Sequence, residues 1–129
     1  MKITHNQTYQ APLTDIGAEL VRMIKDRDYH LIAERFAYAL AYDRPIAEAI
    51  ASDIDFCLGG EGRSSVIGLA HEPRIQVSYF GQPNSSGLFG LVECFLPLDN
   101  DTGELLATLI ITNEDQAYYA CLEDIAYVA

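Results

Sequence analysis

A chain of 129 residues that is half hydrophobic, with eight Tyr, is long enough to build one core without disulfides or metal and too apolar for disorder, despite a formal charge of −11. That acidity argues against partners that are themselves anionic, nucleic acid and acidic membrane surfaces above all. Cys57, Cys94 and Cys121 are odd in number and each adjoins an apolar residue, which predicts buried thiols in a reducing compartment and no disulfide framework. The opening MKITHNQTYQ has no apolar signal core, and no stretch reaches membrane-spanning length, so the expected location is cytoplasmic.

The charge is uneven. Residues 1–44 balance six cations against six acids, whereas residues 45–129 set Arg63 and Arg74 against thirteen acids, and no Lys, Arg or His follows Arg74. A surface of this kind attracts basic proteins with fast, salt-sensitive association.

Along the chain, Leu13, Ile16, Leu20 and Ile24 recur at three- and four-residue intervals and predict an amphipathic helix from Pro12, with Thr14 or Asp15 as its cap. After a break at Arg27 and Asp28, Tyr29, Ile32, Phe36, Ala37 and Leu40 predict a second helix. Pro45 opens a third, with Ile46, Ile50 and Ile54 on one face, ending before Gly59-Gly60.

Beyond the glycines the period changes to two. RIQVSYF places Ile75, Val77 and Tyr79 on one face; the turn clusters GQPNSSG and DNDTGE then separate it from LFGLVECFLPL and LLATLIIT. Pro97 marks an edge or a strand terminus. The tail NEDQAYYACLEDIAYVA reads either as a helix carrying Tyr118, Leu122 and Ile125, or as a strand with Tyr119, Cys121, Ile125 and Tyr127 on one face. Its aromatic content and the short turn at Asn113 to Asp115 favour the strand. The expected fold is one α+β domain over residues 1–129: about three N-terminal helices packed on a C-terminal antiparallel meander of about four strands.

No motif predicts catalysis, cofactor or metal. DNDTGE lacks the glycine step and the terminal bidentate acid of a calcium loop, since position 110 is Ile. GGEGRSS lacks the Lys of a phosphate loop and follows a helix instead of a strand. His5, placed in a frayed terminus, His30 and His71 have no local nucleophile pattern, and no Cys or His pair has zinc spacing. Glu123 and Asp124, adjacent on a strand, are expected to face opposite ways.

With ELVRMIKDRDY at Glu19 to Tyr29 and the ending EDIAYV at Glu123 to Val128, the chain is similar in layout to bacterial α+β domains of no assigned activity; the helices-first layout, the meander and the ending LEDIAYVA together resemble small acidic bacterial immunity proteins. These are the cytoplasmic antidotes encoded beside toxins of contact-dependent growth inhibition and related polymorphic toxin systems. The resemblance implies a non-enzymatic inhibitor that binds a cognate basic, nuclease-like toxin, without nucleic acid, membrane or cofactor as partner. The charge contacts expected on that basis are Asp99, Asp101, Glu104, Glu114, Asp115 and Glu123, with Tyr118 or Tyr119 as aromatic anchor. A different class is also compatible with this order of elements: a nuclear-transport-factor-like domain whose helices and curved sheet enclose a pocket, with His30, Tyr38, Tyr42 and Tyr79 as lining candidates. An inhibitor that mimics DNA would use the same acidic half, with carboxylates spaced like duplex phosphates.

Overall fold

The computed structural model describes residues 1–81 and 87–129. The expected turn at GQPNSSG falls largely on residues 82–86, outside the described residues. The elements run β1 (Lys2–Ile3), α1 (Gln10–Lys25), α2 (Tyr29–Arg35), α3 (Ile46–Gly59), β2 (Arg74–Tyr79), β3 (Leu88–Pro97), β4 (Glu104–Glu114) and β5 (Ala117–Val128). The strands form one antiparallel sheet in the order β1-β5-β4-β3-β2. This is the expected α+β layout, with Pro97 at a strand terminus.

The core lies between the helices and one sheet face. Alternation along β4 turns Leu105, Ala107, Leu109 and Ile111 toward the helices, all at 0% exposure. Val92, Cys94 and Leu96 of β3 join them, as do Ala120 and Leu122 of β5. The stripe of α1 buries Leu13, Ile16, Leu20 and Ile24 over β2 and β3, and α3 buries Ile50 and Ile54 over β4 and β5. Each such side chain contributes roughly 1.5–3 kcal/mol by leaving water. Helix α1 comes close enough to the sheet that a Cβ on Gly17 would stand 3.0 Å from Ile75 and Val92.

Helix α1 starts earlier than expected. Tyr9 is its N-cap, and Thr14 lies inside, returning its hydroxyl to the Gln10 carbonyl at 2.8 Å. Pro12 is tolerated because a first-turn N–H has no intrahelical partner to lose. The helix closes on a Schellman turn: the Asp28 N–H donates to Met23 O at 2.9 Å and the Arg27 N–H to Ile24 O at 3.1 Å. Arg27 occupies the left-handed position of that turn, with φ 56°, where glycine is the usual residue.

Helix α2 is shorter than its apolar spacing suggested. Phe36 is already extended, and segment 37–39 pairs with β5: Leu122 N–H donates to Ala37 O and Ala39 N–H to Leu122 O, both at 2.9 Å. Phe36 and Tyr38 both stay buried because alternate residues of an extended segment face one way.

Among the described residues the sheet has five strands, not about four. The additional one is β1, where Lys2 and Ile3 lie opposite Tyr119 and Tyr118 and bury Ile3. The expected frayed terminus is instead anchored. A 3₁₀ turn at His5–Thr8 follows β1, and the Tyr79 hydroxyl donates to Thr8 O at 2.8 Å.

The tail is strand β5, joined to β4 through Asp115 and Gln116, whose φ values of 50° and 67° make a two-residue turn of the type that matches strand twist. Its expected face needs correction. Thr108 pairs with Asp124 and Leu109 with Leu122, so Glu123 is an extra residue in a β-bulge. The bulge resets the alternation: Ala120 and Leu122 are buried before it and Ile125 after it, while Tyr119 and Cys121 lie opposite Thr112 and Ile110 on the face away from the helices. For the same reason, strict alternation does not govern Glu123 and Asp124.

At the β3–β4 hairpin, a Cβ on Gly103 would stand 2.5 Å from the Tyr127 ring, whose hydroxyl donates to Asp101 at 2.7 Å and whose face lies 3.6 Å from the Arg63 guanidinium carbon. Gly103→Ala is therefore expected to destabilise the fold by about 1–3 kcal/mol in urea unfolding. Gly59→Ala, where an added Cβ meets nothing within 4 Å, is the control and should leave the midpoint unchanged or slightly raised.

Candidate partner-binding surface

The acids expected to meet a partner are distributed over both ends of the sheet. Glu104 and Glu114 are the two ends of β4, about 33 Å apart at roughly 3.3 Å per residue. Asp99 and Asp101 lie with the first; Asp115, Tyr118 and Tyr119 lie with the second.

Two of them are engaged internally. Asp101 accepts from Tyr127 OH at 2.7 Å, Ser65 Oγ at 2.8 Å and Gly103 N–H at 2.9 Å, with Arg63 Nε at 3.8 Å and only 12% of its side chain exposed. The Tyr127 hydrogen bond, followed by those from Gly103 and Ser65, holds its carboxyl below the usual carboxylate range. Glu104 pairs with Arg74 at 2.9 Å, and Arg74 also lies 4.1 Å over the Phe95 ring. Both cations of the acidic half are thus bound within the fold.

Asp99, Glu114, Asp115 and Glu123 are exposed and form no ion pair among the described residues. The tyrosines differ. Tyr118 is packed on its inner side between His5 and Phe89, with ring centroids at 5.8 and 5.2 Å, whereas Tyr119 is half-buried on the outer face opposite Lys2. Among the residues named for an enclosed pocket, Tyr79 closes onto the 3₁₀ turn and His30 is exposed on α2. Tyr38 and Tyr42 belong together.

They border a concavity of about 340 Å³ between segment 38–44, α3 and β5. Its wall is a charge-assisted network. Asp53 of α3 receives both terminal nitrogens of Arg44 at 3.0 Å and the Tyr38 hydroxyl at 2.6 Å. The same guanidinium donates from Nε to Ala41 O at 3.1 Å and from Nη2 to Leu40 O at 2.7 Å, which ties the loop to the helix. Within that loop Tyr42 is held at φ 53° and its ring is 81% exposed. Phe56, on the far rim, is 77% exposed.

The electrostatics follow from this network. The Arg44 hydrogen bond holds Asp53 below the ordinary carboxylate range; partial burial opposes it and the Tyr38 hydrogen bond adds to it. Burial, then the bond to Asp53 and the charges of Asp53 and Asp124, push the Tyr38 phenol well above its ordinary value. Cys57, beneath the concavity, is raised by burial and by the same two acids, and burial alone pushes Cys94 up to about 12, so neither thiol is primed as a nucleophile. None of the expected contacts lines this place; Glu123 is near it in sequence only, at the bulge between Leu122, which bridges to Tyr38, and Ile125, which lines the concavity.

Phe56 was not legible as a site residue, although it falls outside the Ile46, Ile50 and Ile54 stripe, and a large aromatic off the buried face is the signal that marks it. No family model, curated protein or solved structure matches the chain. Among the described residues no group of three His, Cys, Asp or Glu converges as a metal site, and no helix is long and apolar enough to cross a membrane.

Because the folded pKa of Asp53 lies below its unfolded value, its contribution to stability is present above the ordinary carboxylate range and is lost as pH falls through the folded value. Asp53→Asn should accordingly be less stable than the parent at pH 7, with the gap closing below about pH 4. Tyr38→Phe, which removes one hydrogen bond to the carboxylate, should cost about 1–2 kcal/mol at neutral pH. Urea unfolding at both pH values reads these changes; a gap that widens in acid would contradict the assignment.

Proposed function

We propose that the chain is an immunity-type inhibitor that binds a cognate basic, nuclease-like protein toxin and blocks the surface with which that toxin meets its substrate. The observation that carries this reading is the pair Tyr42 and Phe56, 81% and 77% exposed on the two rims of one concavity. Large exposed aromatics beside a preformed hollow are the residues that anchor protein interfaces. Here a strained backbone and an Arg44–Asp53 clamp hold one of them outward, so little ordering remains to be done on binding.

The surrounding charge supports a basic occupant. Asp43 is exposed beside Tyr42, Glu123 is exposed at the bulge, and Asp124 lies close enough to act on Tyr38 and Cys57. Arg44 is neutralised by Asp53. A cationic side chain arriving here meets aromatic faces and uncompensated carboxylates together. A nuclease is basic because it binds phosphate, so an acidic protein can occupy the same surface and needs no catalytic residue of its own.

Co-purification with the product of the adjacent gene tests the proposal. Binding should be fast and weaken as salt rises. Tyr42→Ala and Phe56→Ala should each weaken it by about 30-fold or more, equivalent to roughly 2 kcal/mol, while leaving stability within about 0.5 kcal/mol. Charge reversal at Glu114 and Asp115, at the far end of the sheet, should mainly slow association. Absence of binding to any neighbour-encoded protein at low salt would sink the inhibitor; tight binding unaffected by either alanine variant would move the interface elsewhere.

A further inference from the structure

A second concavity, of about 390 Å³, lies on the other side of α3, between the α1–α2 junction and the segment that carries Val66 to Leu69. Its volume is in the range of small-molecule sites, roughly 300–1,000 Å³. Part of the wall is apolar: Leu58 and Ile67 are half-buried, and Val66 and Leu69 are 51% and 75% exposed. Lys25 and Arg27 also line it, with Tyr29 and Asp55.

These cations differ from most others in the chain. Arg35, Arg44, Arg63 and Arg74 each stand within 4.0 Å of a carboxylate, whereas the side chains of Lys25 and Arg27 form neither ion pair nor hydrogen bond among the described residues. The last turn of a helix accounts for one cation by its dipole. It does not account for Arg at the left-handed position of the Schellman turn, where Gly is the unstrained choice, since an exposed guanidinium gains nothing there. Strain retained at the edge of a cavity points to use of the side chain it carries. Both Arg27 and Asp55 act electrostatically on the Tyr29 phenol, which places all three about one rim.

We infer that this cavity binds a small organic carboxylate, its apolar body against Leu58, Val66, Ile67 and Leu69 and its anionic head between Lys25 and Arg27. A single negative charge suits the site better than phosphate, because Asp55 repels a dianion and the apolar wall needs a hydrocarbon body. Binding would cover the two side chains of segment 66–69 that now face solvent.

Octanoate is a suitable probe, titrated into the intact chain and followed by amide shifts in NMR, with octanamide and inorganic phosphate alongside. Saturable shifts are expected at Arg27, Tyr29, Val66 and Leu69. Octanamide should bind at least about tenfold more weakly and phosphate should not saturate the same signals. Arg27→Gly, which suits the left-handed backbone, should weaken octanoate about fivefold or more, and Lys25→Gln, a change on a helix surface, should do likewise. Equal affinity for octanoate and octanamide, phosphate binding as tight as octanoate, unaltered affinity in Lys25→Gln, or no saturation by about 10 mM octanoate would each overturn the inference.

Discussion

Strand β4 is the constraint on which the rest of the molecule depends. It has a strand on either side and both α1 and α3 packed above the sheet it centres, so its four inward side chains are wholly removed from water. A one-residue slip of β4 would turn Leu105, Ala107, Leu109 and Ile111 outward and bring Leu106, Thr108 and Ile110 inward, placing a hydroxyl in the core. The register is therefore set by the core, and the bulge at Glu123 is the adjustment by which β5 keeps both Leu122 and Ile125 buried against it. That adjustment has a surface consequence. Glu123, the extra residue, is an exposed carboxylate next to Leu122, the residue that pairs with segment 37–39.

Packing also decides where the negative charge is left. The loops at the Leu105 end of β4 are held by the buried Leu98, by its bridge to Ile67 and by polar contacts: Asp101 with Ser65, Tyr127 and Arg63, Glu104 with Arg74. Both cations available after residue 44 are used in this way. Asp53 takes its cation from the N-terminal part of the chain, Arg44, while Asp99, Glu114, Asp115 and Glu123 face water without an ion pair among the described residues, at a cost in self-repulsion. On the reading proposed above that charge is directed at a partner, and the concavity at Tyr42 and Phe56 is where exposed aromatic area stands beside the exposed Asp43.

Much of this architecture is legible in the residues, and its exceptions have a common form. Helices α1 and α3 and strands β3 and β4 each bury a periodic face, and β2 half-buries Ile75 and Val77 in alternation, so period reveals them. Where two periods overlap, the signal fails. Phe36 completes the helical series from Tyr29 and Ile32 while also beginning the extended pair Phe36 and Tyr38; only pairing with Leu122, a long-range contact, decides between them. Strand β1 is too short to have a period, and the bulge in β5 shifts one in mid-strand. The candidate site residues are hidden for a different reason. Tyr42 and Phe56 are conspicuous through exposure, and Arg27 through a backbone angle, neither of which is encoded in spacing.

Helix α3 separates the two concavities and supplies a wall to each. Asp53, Phe56 and Cys57 lie toward the aromatic rim; Ile54, Asp55 and Leu58 lie toward the cation-lined cavity. Steps of 100° along one helix account for both sets, and the burial of Ile50 and Ile54 fixes its rotation against β4 and β5. The helix cannot turn to improve one wall without exposing core at the other. The two sites share a scaffold but no lining residue, and their charged groups differ: Arg44 paired with Asp53 beside Tyr42 and Phe56, Lys25 and Arg27 with Asp55 in the other. A basic protein seated on the first would therefore not displace a carboxylate held in the second, and each can be lost by substitution without dismantling the other.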